Sequence, residues 1–264
     1  MLKIENVSKT FNAGTVNERV ALNGVDLHLK EGEFVSVIGG NGAGKSTMLN
    51  CVAGVYSVES GKILIDGVDV THLPEYRRAQ FIGRVFQDPM MGTAATMQIE
   101  ENLALAARRG KSRGLKVGIT NAERESYREQ LKILDLGLEN RLTAKVGLLS
   151  GGQRQALTLL MATLQKPKLL LLDEHTAALD PKTAAKVLEV TDKIVSANNL
   201  TTMMITHNMR DAIAYGNRLI MMHNGRIVVD VSGEDKKKLT VEQLLALFSE
   251  ASGSDVVNDK MILS

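Results

Sequence analysis

The stretch Gly39-Gly40-Asn41-Gly42-Ala43-Gly44-Lys45-Ser46 fits the pattern G-x-x-x-x-G-K-[ST] of a phosphate-binding loop. It follows an apolar run, Phe34 to Ile38, that is typical of a buried strand, and helical spacing begins at Lys45. Glycines let backbone N–H groups surround phosphate oxygens, and a helix start adds partial positive charge. Lys45 can reach the β and γ phosphates, and Ser46 can offer a hydroxyl to Mg²⁺. The stretch therefore predicts a nucleoside triphosphate site.

Two acidic residues, Asp173 and Glu174, directly follow the apolar run Leu169 to Leu172, which has the length of a buried strand. Open α/β sheets bind ligands at the carboxyl ends of their strands. Neighbouring strand residues point to opposite sides, so Asp173 can face the Mg²⁺ shell while Glu174 faces the water that attacks the γ phosphate. Such a pair also suits a helix cap or a salt bridge, but the phosphate loop favours the catalytic interpretation.

Strand-like runs alternate with helical patterns along the chain, which predicts an α/β fold with a parallel sheet covered on both faces. The helix pattern Pro181 to Ala197 before the strand pattern Thr201 to Thr206 is one example. Asn224-Gly225 lies between two apolar runs and predicts a hairpin. The middle of the chain is predicted to be helical, with a basic loop at residues 108–116. Near the end, a charged run at residues 234–238 precedes a short amphipathic helix, Thr240 to Phe248.

Composition limits the classes of function. The chain has 264 residues and a formal net charge of +2, which is evidence against a polybasic nucleic-acid coat. Its one cysteine, Cys51, cannot form an intrachain disulfide and is expected to be a small buried residue. The first residues lack the pattern of a signal peptide, and no run has the length of a membrane helix. We therefore expect a cytosolic chain that reaches a membrane only through a partner.

The pentapeptide Leu149-Ser150-Gly151-Gly152-Gln153 reads, from its residues alone, as a helix start capped by serine, with two glycines that leave backbone N–H groups accessible. This is a second anion site that one chain does not obviously need. With this pentapeptide, which is their signature, residues 1–235 resemble the ATP-binding cassette ATPases. The resemblance implies a P-loop ATPase fold with a parallel core sheet, an N-terminal antiparallel β region and a helical subdomain of about residues 88–165. Residues 236–264 are then a short C-terminal helical extension.

The resemblance also implies a role for each matching residue. Gln87 falls on the Q-loop, His207 on the switch histidine and Phe11 on the aromatic residue that stacks on adenine. The implied catalytic residues are Glu174, His207, Gln87 and Lys45, and the implied Mg²⁺ ligands are Ser46, Gln87 and Asp173. The implied ATP contacts are Phe11, Gly39, Gly40, Asn41, Gly42, Ala43, Gly44, Lys45, Ser46 and Thr47.

The signature residues belong, by this resemblance, to a site shared between two chains. Ser150, Gly151, Gly152, Gln153 and the loop residue Asp180 of one subunit contact ATP that is held by Lys45 of the other. The resemblance therefore implies a homodimer of ATPase subunits, at least when ATP is bound, and it explains the surplus anion site.

The implied function is ATP hydrolysis that energises solute transport through separate transmembrane permease subunits, at the cytoplasmic face of the cell membrane. Two features resemble the ATPases of importers that work with a separate solute-binding protein, for a small solute such as an amino acid. One is His175, where the family commonly has Pro or Ser, and the other is the stretch Lys237 to Glu242. An unshifted imidazole titrates close to neutrality, so His175 is also a candidate for altering the pKa of Glu174 or the path of the following loop.

Other cassette ATPases remain as alternatives. One is a subunit of an export, lipoprotein-release or cell-division signalling complex, whose sequence differs too little to be excluded. Another is a soluble ATPase acting on nucleic acid or the ribosome. Relatives of that kind carry long coiled-coil insertions, zinc modules or two cassettes, whereas this chain has one cassette, one cysteine and no sustained heptads. We therefore expect no nucleic-acid partner. The methionines at 90, 91, 203, 204, 221 and 222 are predicted to be packing residues.

Overall fold

The structure, a computed structural model, describes residues 1–111 and 118–252. The strands are β1 (Leu2–Phe11), β2 (Arg19–Leu29), β3 (Phe34–Gly39), β4 (Ser60–Ile65), β5 (Val68–Asp69), β6 (Ile82–Val85), β7 (Leu169–Asp173), β8 (Thr201–Ile205), β9 (Arg218–His223) and β10 (Arg226–Ser232). The helices are α1 (Lys45–Ala53), α2 (Glu75–Arg78), α3 (Ile99–Ala107), α4 (Asn121–Lys132), α5 (Gly151–Thr163), α6 (Pro181–Asn198), α7 (Met209–Ala214), α8 (Gly233–Lys237) and α9 (Val241–Ser252).

Two sheets form the framework. The larger has the order β10-β9-β3-β8-β7-β6 and is parallel except for the β9–β10 hairpin, which turns at Asn224-Gly225 as predicted. The smaller sheet, β2-β1-β4-β5, is antiparallel. The predicted fold class, with a parallel core sheet and an N-terminal antiparallel region, is confirmed.

Strand β7 illustrates how the parallel sheet is buried on both faces. Its four leucines are all inaccessible to solvent and point alternately to opposite sides. Leu169 and Leu171 join the core that α1 and the antiparallel sheet complete, whereas Leu170 and Leu172 pack into the core formed with the helices between residues 99 and 195. An unbroken apolar run is therefore what this strand requires.

The parallel arrangement brings three chemically active segments to one edge of the sheet. The phosphate loop follows β3, Asp173 and Glu174 lie at the end of β7, and His207 follows β8. In the strand register, Ile205 lies opposite both Val37 and Asp173. This edge is where an open α/β sheet is expected to bind its ligand.

The helical middle of the chain contains α3, α4 and α5. Thr120 and Ser150 each accept a hydrogen bond from the backbone N–H three residues later and so cap α4 and α5. These helices fall within the predicted subdomain 88–165, whose bounds remain a prediction. Of the predicted basic loop, residues 112–116 lie outside the described residues.

A buried arginine, Arg78, terminates the helix that follows the phosphate loop. Its guanidinium donates hydrogen bonds to the carbonyls of Cys51 and Val52 at the end of α1, and to those of Thr71 and Leu73. A cation at a helix C-terminus offsets the negative end of the helix dipole and satisfies carbonyls that lack helical partners. Cys51 is buried, as predicted.

The C-terminal region packs on the outer strands of the parallel sheet, where α9 contributes Leu244 and Phe248 to a core with β9 and β10. The predicted extension starts at residue 236, inside α8, and its residues 253–264 lie outside the described residues. Among the described residues, no helix is long and apolar enough to cross a membrane.

The predicted packing role of the methionines is correct for Met203, Met204, Met221 and Met222, which are all buried. It is wrong for the pair 90 and 91, which follow β6 and are 46% and 69% exposed. Met90 and Met91 lie in a surface turn rather than in a strand, and this leaves them exposed although Arg154 of α5 contacts the Met90 sulfur.

Candidate functional site

The phosphate loop has a conformation that only glycine adopts easily. Gly39 and Gly44 have φ angles of 145° and 106°. A Cβ atom at Gly39 would lie 2.3 Å from the carbonyl oxygen of Met222, and one at Gly44 would lie 2.5 Å from that of Ala21. Gly44 also supplies no side-chain cap to α1. The loop therefore presents the start of α1 directly to whatever lies in front of it.

Lys45 lies inside this loop. Its residue is 5% exposed, and its Nζ donates to the carbonyl oxygens of Gly39, at 2.7 Å, and Gly40, at 3.1 Å. Burial lowers the pKa of the Lys45 ammonium, whereas the nearby charges of Glu174 and Asp173 act to raise it. A cation held by two carbonyls and facing a cavity can exchange these acceptors for phosphate oxygens.

Glu174 and His207 contact each other across the ends of β7 and β8. The Nε2 atom of His207 lies 2.5 Å from Oε1 of Glu174. This hydrogen bond, together with the weaker influence of the Lys45 charge, lowers the pKa of the Glu174 carboxyl although burial opposes the shift. Glu174 also has a left-handed backbone, with φ of 48°, which is uncommon for a residue with a side chain. The carboxylate is therefore ionised at neutral pH and directed into the site.

Asp173, the other predicted acid, has a partner that sequence reasoning missed. Nη2 of Arg84 lies 3.3 Å from Oδ2 of Asp173, and both side chains are mostly buried. Burial raises the pKa of the Asp173 carboxyl, and the Arg84 guanidinium opposes this shift. The contact depends on the parallel pairing of β6 with β7. The sequence does not give this register, so it could not identify Arg84 as the partner of Asp173.

Phe11 is the aromatic side chain that lines the cavity next to the phosphate loop. It lies at the end of β1, lines the same cavity as the loop, and packs edge-on against Tyr56 with ring centroids 5.2 Å apart. Arg19, directly opposite Phe11 on β2, was also missed by sequence reasoning. It donates a hydrogen bond of 3.0 Å to the carbonyl of Gly42 and lines the cavity beside Lys45.

Two adjoining cavities, of about 220 and 1270 Å³, lie at this edge of the sheet. The smaller one is lined by Phe11, Arg19, Ala21, Asn41, Gly42, Ala43, Gly44, Lys45, Ser46, Thr47, Glu174 and His207. The structure thus brings together the predicted phosphate loop, the predicted base and the predicted switch histidine. The larger cavity continues along the loop that precedes α6 and reaches Phe248 of α9.

Several predicted residues line neither cavity: Gln87, Asp173, Asp180 and the signature residues 150–153. Gln87 is exposed, follows β6, and lines neither cavity. The signature residues, 150–153, also line neither cavity. Ser150 is instead engaged with Gln153 at the start of α5, each accepting a hydrogen bond from the backbone N–H of the other. Their predicted contacts with ATP therefore need a change of position or a second chain.

Asp180 and Gly152 have structural tasks within the chain. Asp180 caps α6 by accepting a hydrogen bond of 3.1 Å from the N–H of Thr183. A Cβ atom on Gly152 would lie 2.0 Å from the methyl carbon of the same threonine, so α5 approaches the start of α6 closely. The side chain of Asp180 remains exposed, as does Gly151.

His175 does not behave as the sequence suggested. It is 2% exposed, and burial lowers its pKa to about 4. Its Nε2 lies 3.1 Å from the hydroxyl of Thr191, which itself donates to the carbonyl of Val187. Nε2 therefore donates to Thr191, and the imidazole is neutral near pH 7. Its side chain packs against α6 rather than in the nucleotide cavity.

The donor set suits a nucleoside triphosphate with Mg²⁺. The uncapped start of α1 and Lys45 offer N–H donors to phosphate, while the exposed Ser46 and the carboxylate of Asp173 offer the oxygen atoms that Mg²⁺ prefers. Within the described residues, no group of three or more His, Cys, Asp or Glu side chains could hold a metal by itself. Magnesium is commonly held by one or two side chains together with phosphate oxygens, so the nucleotide and Mg²⁺ would bind together.

Comparisons with known proteins agree with this geometry. The profile of the family described as ABC transporter matches residues 22–177. The chain is 47% identical to a tyrosine transport ATP-binding protein of Clostridioides difficile, over 95% of this chain and 100% of that protein. It is 33% identical to a methionine import ATP-binding protein of Bartonella henselae, over 86% of this chain and 64% of that protein.

A solved structure shares the fold. It is a dimeric ATP-binding cassette in a post-hydrolysis state, bound to ADP and Pi. The match has a TM-score of 0.74 and 33% identity, and covers 88% of this chain and 98% of that one.

Proposed function

Because this chain belongs to the ABC transporter ATPases, which bind and hydrolyse ATP, we propose that it is the ATP-hydrolysing subunit of a system that imports a small solute through separate membrane subunits. The observation that carries the proposal is the meeting of phosphate loop, Glu174 and His207 at one cavity. The name of one relative refers to methionine import and that of the other to tyrosine transport, and both solutes are amino acids. An amino acid is therefore the class of solute that we propose.

Each of the following residues has a separate role in the proposed hydrolysis. Lys45 exchanges the carbonyls of Gly39 and Gly40 for oxygens of the β and γ phosphates and compensates their charge. Glu174, ionised at neutral pH, orients the attacking water and accepts its proton. His207 is within hydrogen-bonding distance of Glu174 and donates to the γ phosphate once nucleotide separates the two side chains. Phe11 stacks on the base.

Mg²⁺ supplies charge neutralisation of the phosphates when it is bound. Ser46 and Asp173 are the residues of this chain that would hold it, together with Gln87 if the segment after β6 brought its side chain to the metal. Gln87 is exposed and follows a strand end, so its side chain has room for such a movement.

We also propose that two copies of the chain complete each ATP site. The signature at the start of α5 lines neither cavity, although its backbone N–H groups and exposed Gly151 are suited to a phosphate. The dimeric cassette among the similar structures supports this arrangement. Closure of two chains around ATP is the movement that drives the membrane subunits, and an extracytoplasmic binding protein delivers the solute to them. We therefore propose that the chain works at the cytoplasmic face of the membrane, bound to those subunits.

Uptake by cells tests the proposal. The gene is replaced by one that encodes Glu174→Gln, and uptake of radiolabelled amino acids is measured, beginning with tyrosine and methionine. We expect the uptake of one amino acid to fall to the level of a gene deletion. Glu31→Gln, in an exposed turn at the opposite end of β3, is the matched control and should leave uptake unchanged. Wild-type uptake of every amino acid in the Glu174→Gln cells would refute an amino-acid importer.

A further inference from the structure

Arg84 joins three elements behind the nucleotide loop. Its Nη2 donates to Oδ1 of Asn50 on α1 at 2.8 Å and to Oδ2 of Asp173 at the end of β7 at 3.3 Å. Asn50 lies on the helix that begins with Lys45. The same guanidinium nitrogen therefore connects strand β6, the helix of the phosphate loop and the carboxylate proposed as a Mg²⁺ ligand.

The position of this guanidinium is fixed by its surroundings. Arg84 is opposite Leu171 in the strand register, and alternation along β7 places Leu171 and Asp173 on the same face of the sheet. The guanidinium carbon lies 4.5 Å from the ring centroid of Phe86. Its Nε is buried and donates to no group in the described part of the chain. The side chain is only 13% exposed, so little water shields the pair.

The charge of Arg84 matters because Asp173 lies in a crowded electrostatic environment. Glu174 is the next residue, and the ammonium of Lys45 is close enough to influence both carboxylates. Lys45, however, donates its hydrogen bonds to Gly39 and Gly40 of the phosphate loop rather than to Asp173. Arg84 thus contacts Asp173 directly, and it lines neither of the two cavities.

We propose that Arg84 is the positioning residue of Asp173: it holds the carboxylate against α1, neutralises it, and thereby sets how strongly the site prefers the Mg²⁺ complex of ATP over free ATP. This inference rests on the proposed function. Arg84 contacts neither ATP nor Mg²⁺ in this account and acts only through Asp173.

Electrostatics gives the direction of the effect when the cation is removed. A carboxylate without its counter-charge attracts Mg²⁺ more strongly and repels the free triphosphate more strongly. Both changes raise the ratio of the dissociation constant measured without Mg²⁺ to that measured with it. General damage to the nucleotide cavity weakens both forms together and cancels from the ratio. We expect the ratio to rise about tenfold, which corresponds to a change of about 1.4 kcal/mol in the interaction energy.

The experiment uses the full chain and a non-hydrolysable analogue, adenylyl imidodiphosphate. Its dissociation constant is measured by titration calorimetry in EDTA and in excess Mg²⁺. Arg84→Met, which keeps an unbranched apolar stem but removes charge and donors, should raise the ratio about tenfold, whereas Arg84→Lys, which keeps the charge, should stay within about threefold of wild type. In an Asp173→Asn background, Arg84→Met should leave the ratio unchanged, because no carboxylate remains to be neutralised.

An unchanged ratio in folded Arg84→Met would overturn the inference and leave Arg84 with a packing role only. Melting temperature monitors folding, and Arg84→Gln, which retains an amide donor, replaces the methionine variant if that chain does not fold. The proposed function fails separately: in that event the wild-type chain itself would not bind the analogue, or would bind it no better with Mg²⁺.

Discussion

Two regions of the molecule each contain a lysine buried against backbone carbonyls, and only one of them faces a cavity. Lys45 in the phosphate loop donates to two carbonyls and lines the nucleotide cavity. Lys236 in α8 is 2% exposed and donates to the carbonyls of Ile213, Tyr215 and Gly216 at 2.7 to 2.9 Å. Burial lowers the pKa of Lys236 to about 8.

The difference separates a binding group from a structural one. An ammonium has three N–H donors, so Lys236 has none left for a ligand, whereas Lys45 keeps at least one. Lys45 also has carboxylates nearby that respond to a bound cation, while the partners of Lys236 lie at the end of α7 and in the turn that follows it. Burial of a lysine therefore does not identify a site; spare donors at a cavity do.

The largest expected effect is on turnover, and it concerns the nucleotide region alone. Glu174→Gln should lower the steady-state rate of ATP hydrolysis by about 10³-fold because the amide keeps the size of the side chain but cannot accept the proton of water. Phosphate release measures the rate. Nucleotide affinity should stay near wild type, and size-exclusion chromatography with ATP and Mg²⁺ should show a stable dimer. Hydrolysis at the wild-type rate would remove Glu174 from its role.

The next effect concerns binding and compares the two lysines directly. Lys45→Ala should weaken ATP binding by about 100-fold, since a charge-assisted contact with phosphate is lost. Lys236→Met should leave the dissociation constant within about threefold of wild type, because Lys236 lines neither cavity and all three of its donors are already used. Equilibrium titration with ATP measures both. Equal affinities for the two variants would show that the comparison is wrong.

Lys236, which should matter little for ATP affinity, should matter strongly for the free energy of unfolding. In Lys236→Met the carbonyls of Ile213 and Gly216 lose the Lys236 donor, while that of Tyr215 keeps the Ser36 hydroxyl, and we expect the free energy of unfolding to fall by about 4 kcal/mol. Lys237→Met is the matched control, because that neighbouring side chain is 72% exposed, and it should change stability by less than about 0.5 kcal/mol. Urea denaturation followed by circular dichroism measures both. A similar stability for the two variants would mean that α8 is not held by Lys236.

The sequence predicted the nucleotide region much better than the C-terminal region. A phosphate loop requires particular residue types at fixed spacing, and its flanking strand and helix have clear periodicity, so local pattern was sufficient. Helix α8, by contrast, lies in a charged run without apolar periodicity. Nothing local distinguishes buried Lys236 from exposed Lys237, since only the packing of α8 against α7 does so.

The sequence analysis missed Arg84 and did not foresee the buried, neutral state of His175 for a similar reason. The partner of Arg84 is 89 residues away, and that of His175 is 16 residues away, on the next helix. Their environments depend on strand register and helix packing, which the sequence does not state. The bounds of the helical subdomain and the roles of Gln87 and the signature remain predictions.

A smaller effect on stability than that of Lys236→Met is expected for the neutral histidine next to Glu174. The pKa of His175 is about 4 in the folded chain, below its ordinary value of 6.5. Between these values the unfolded chain binds a proton that the folded chain does not, so stability is lost as pH falls from 6.5 to 4. Relative to His175→Gln, which cannot titrate, wild-type stability should fall by about 3 kcal/mol across this range. Urea denaturation at several pH values measures the difference; parallel pH profiles would contradict burial of the neutral imidazole.

The central claim is that the phosphate loop of one chain and the signature of another meet around ATP, and disulfide trapping tests it most directly. Two chains are prepared with Cys51→Ala and Glu174→Gln; one also carries Asn41→Cys and the other Ser150→Cys. They are mixed and oxidised with and without ATP and Mg²⁺. The account predicts a cross-linked dimer that forms only in the mixture and only with ATP, because a disulfide needs Cα atoms within about 7 Å. Cross-linking that ignores ATP, or none in a mixture shown to bind ATP, would contradict the shared site.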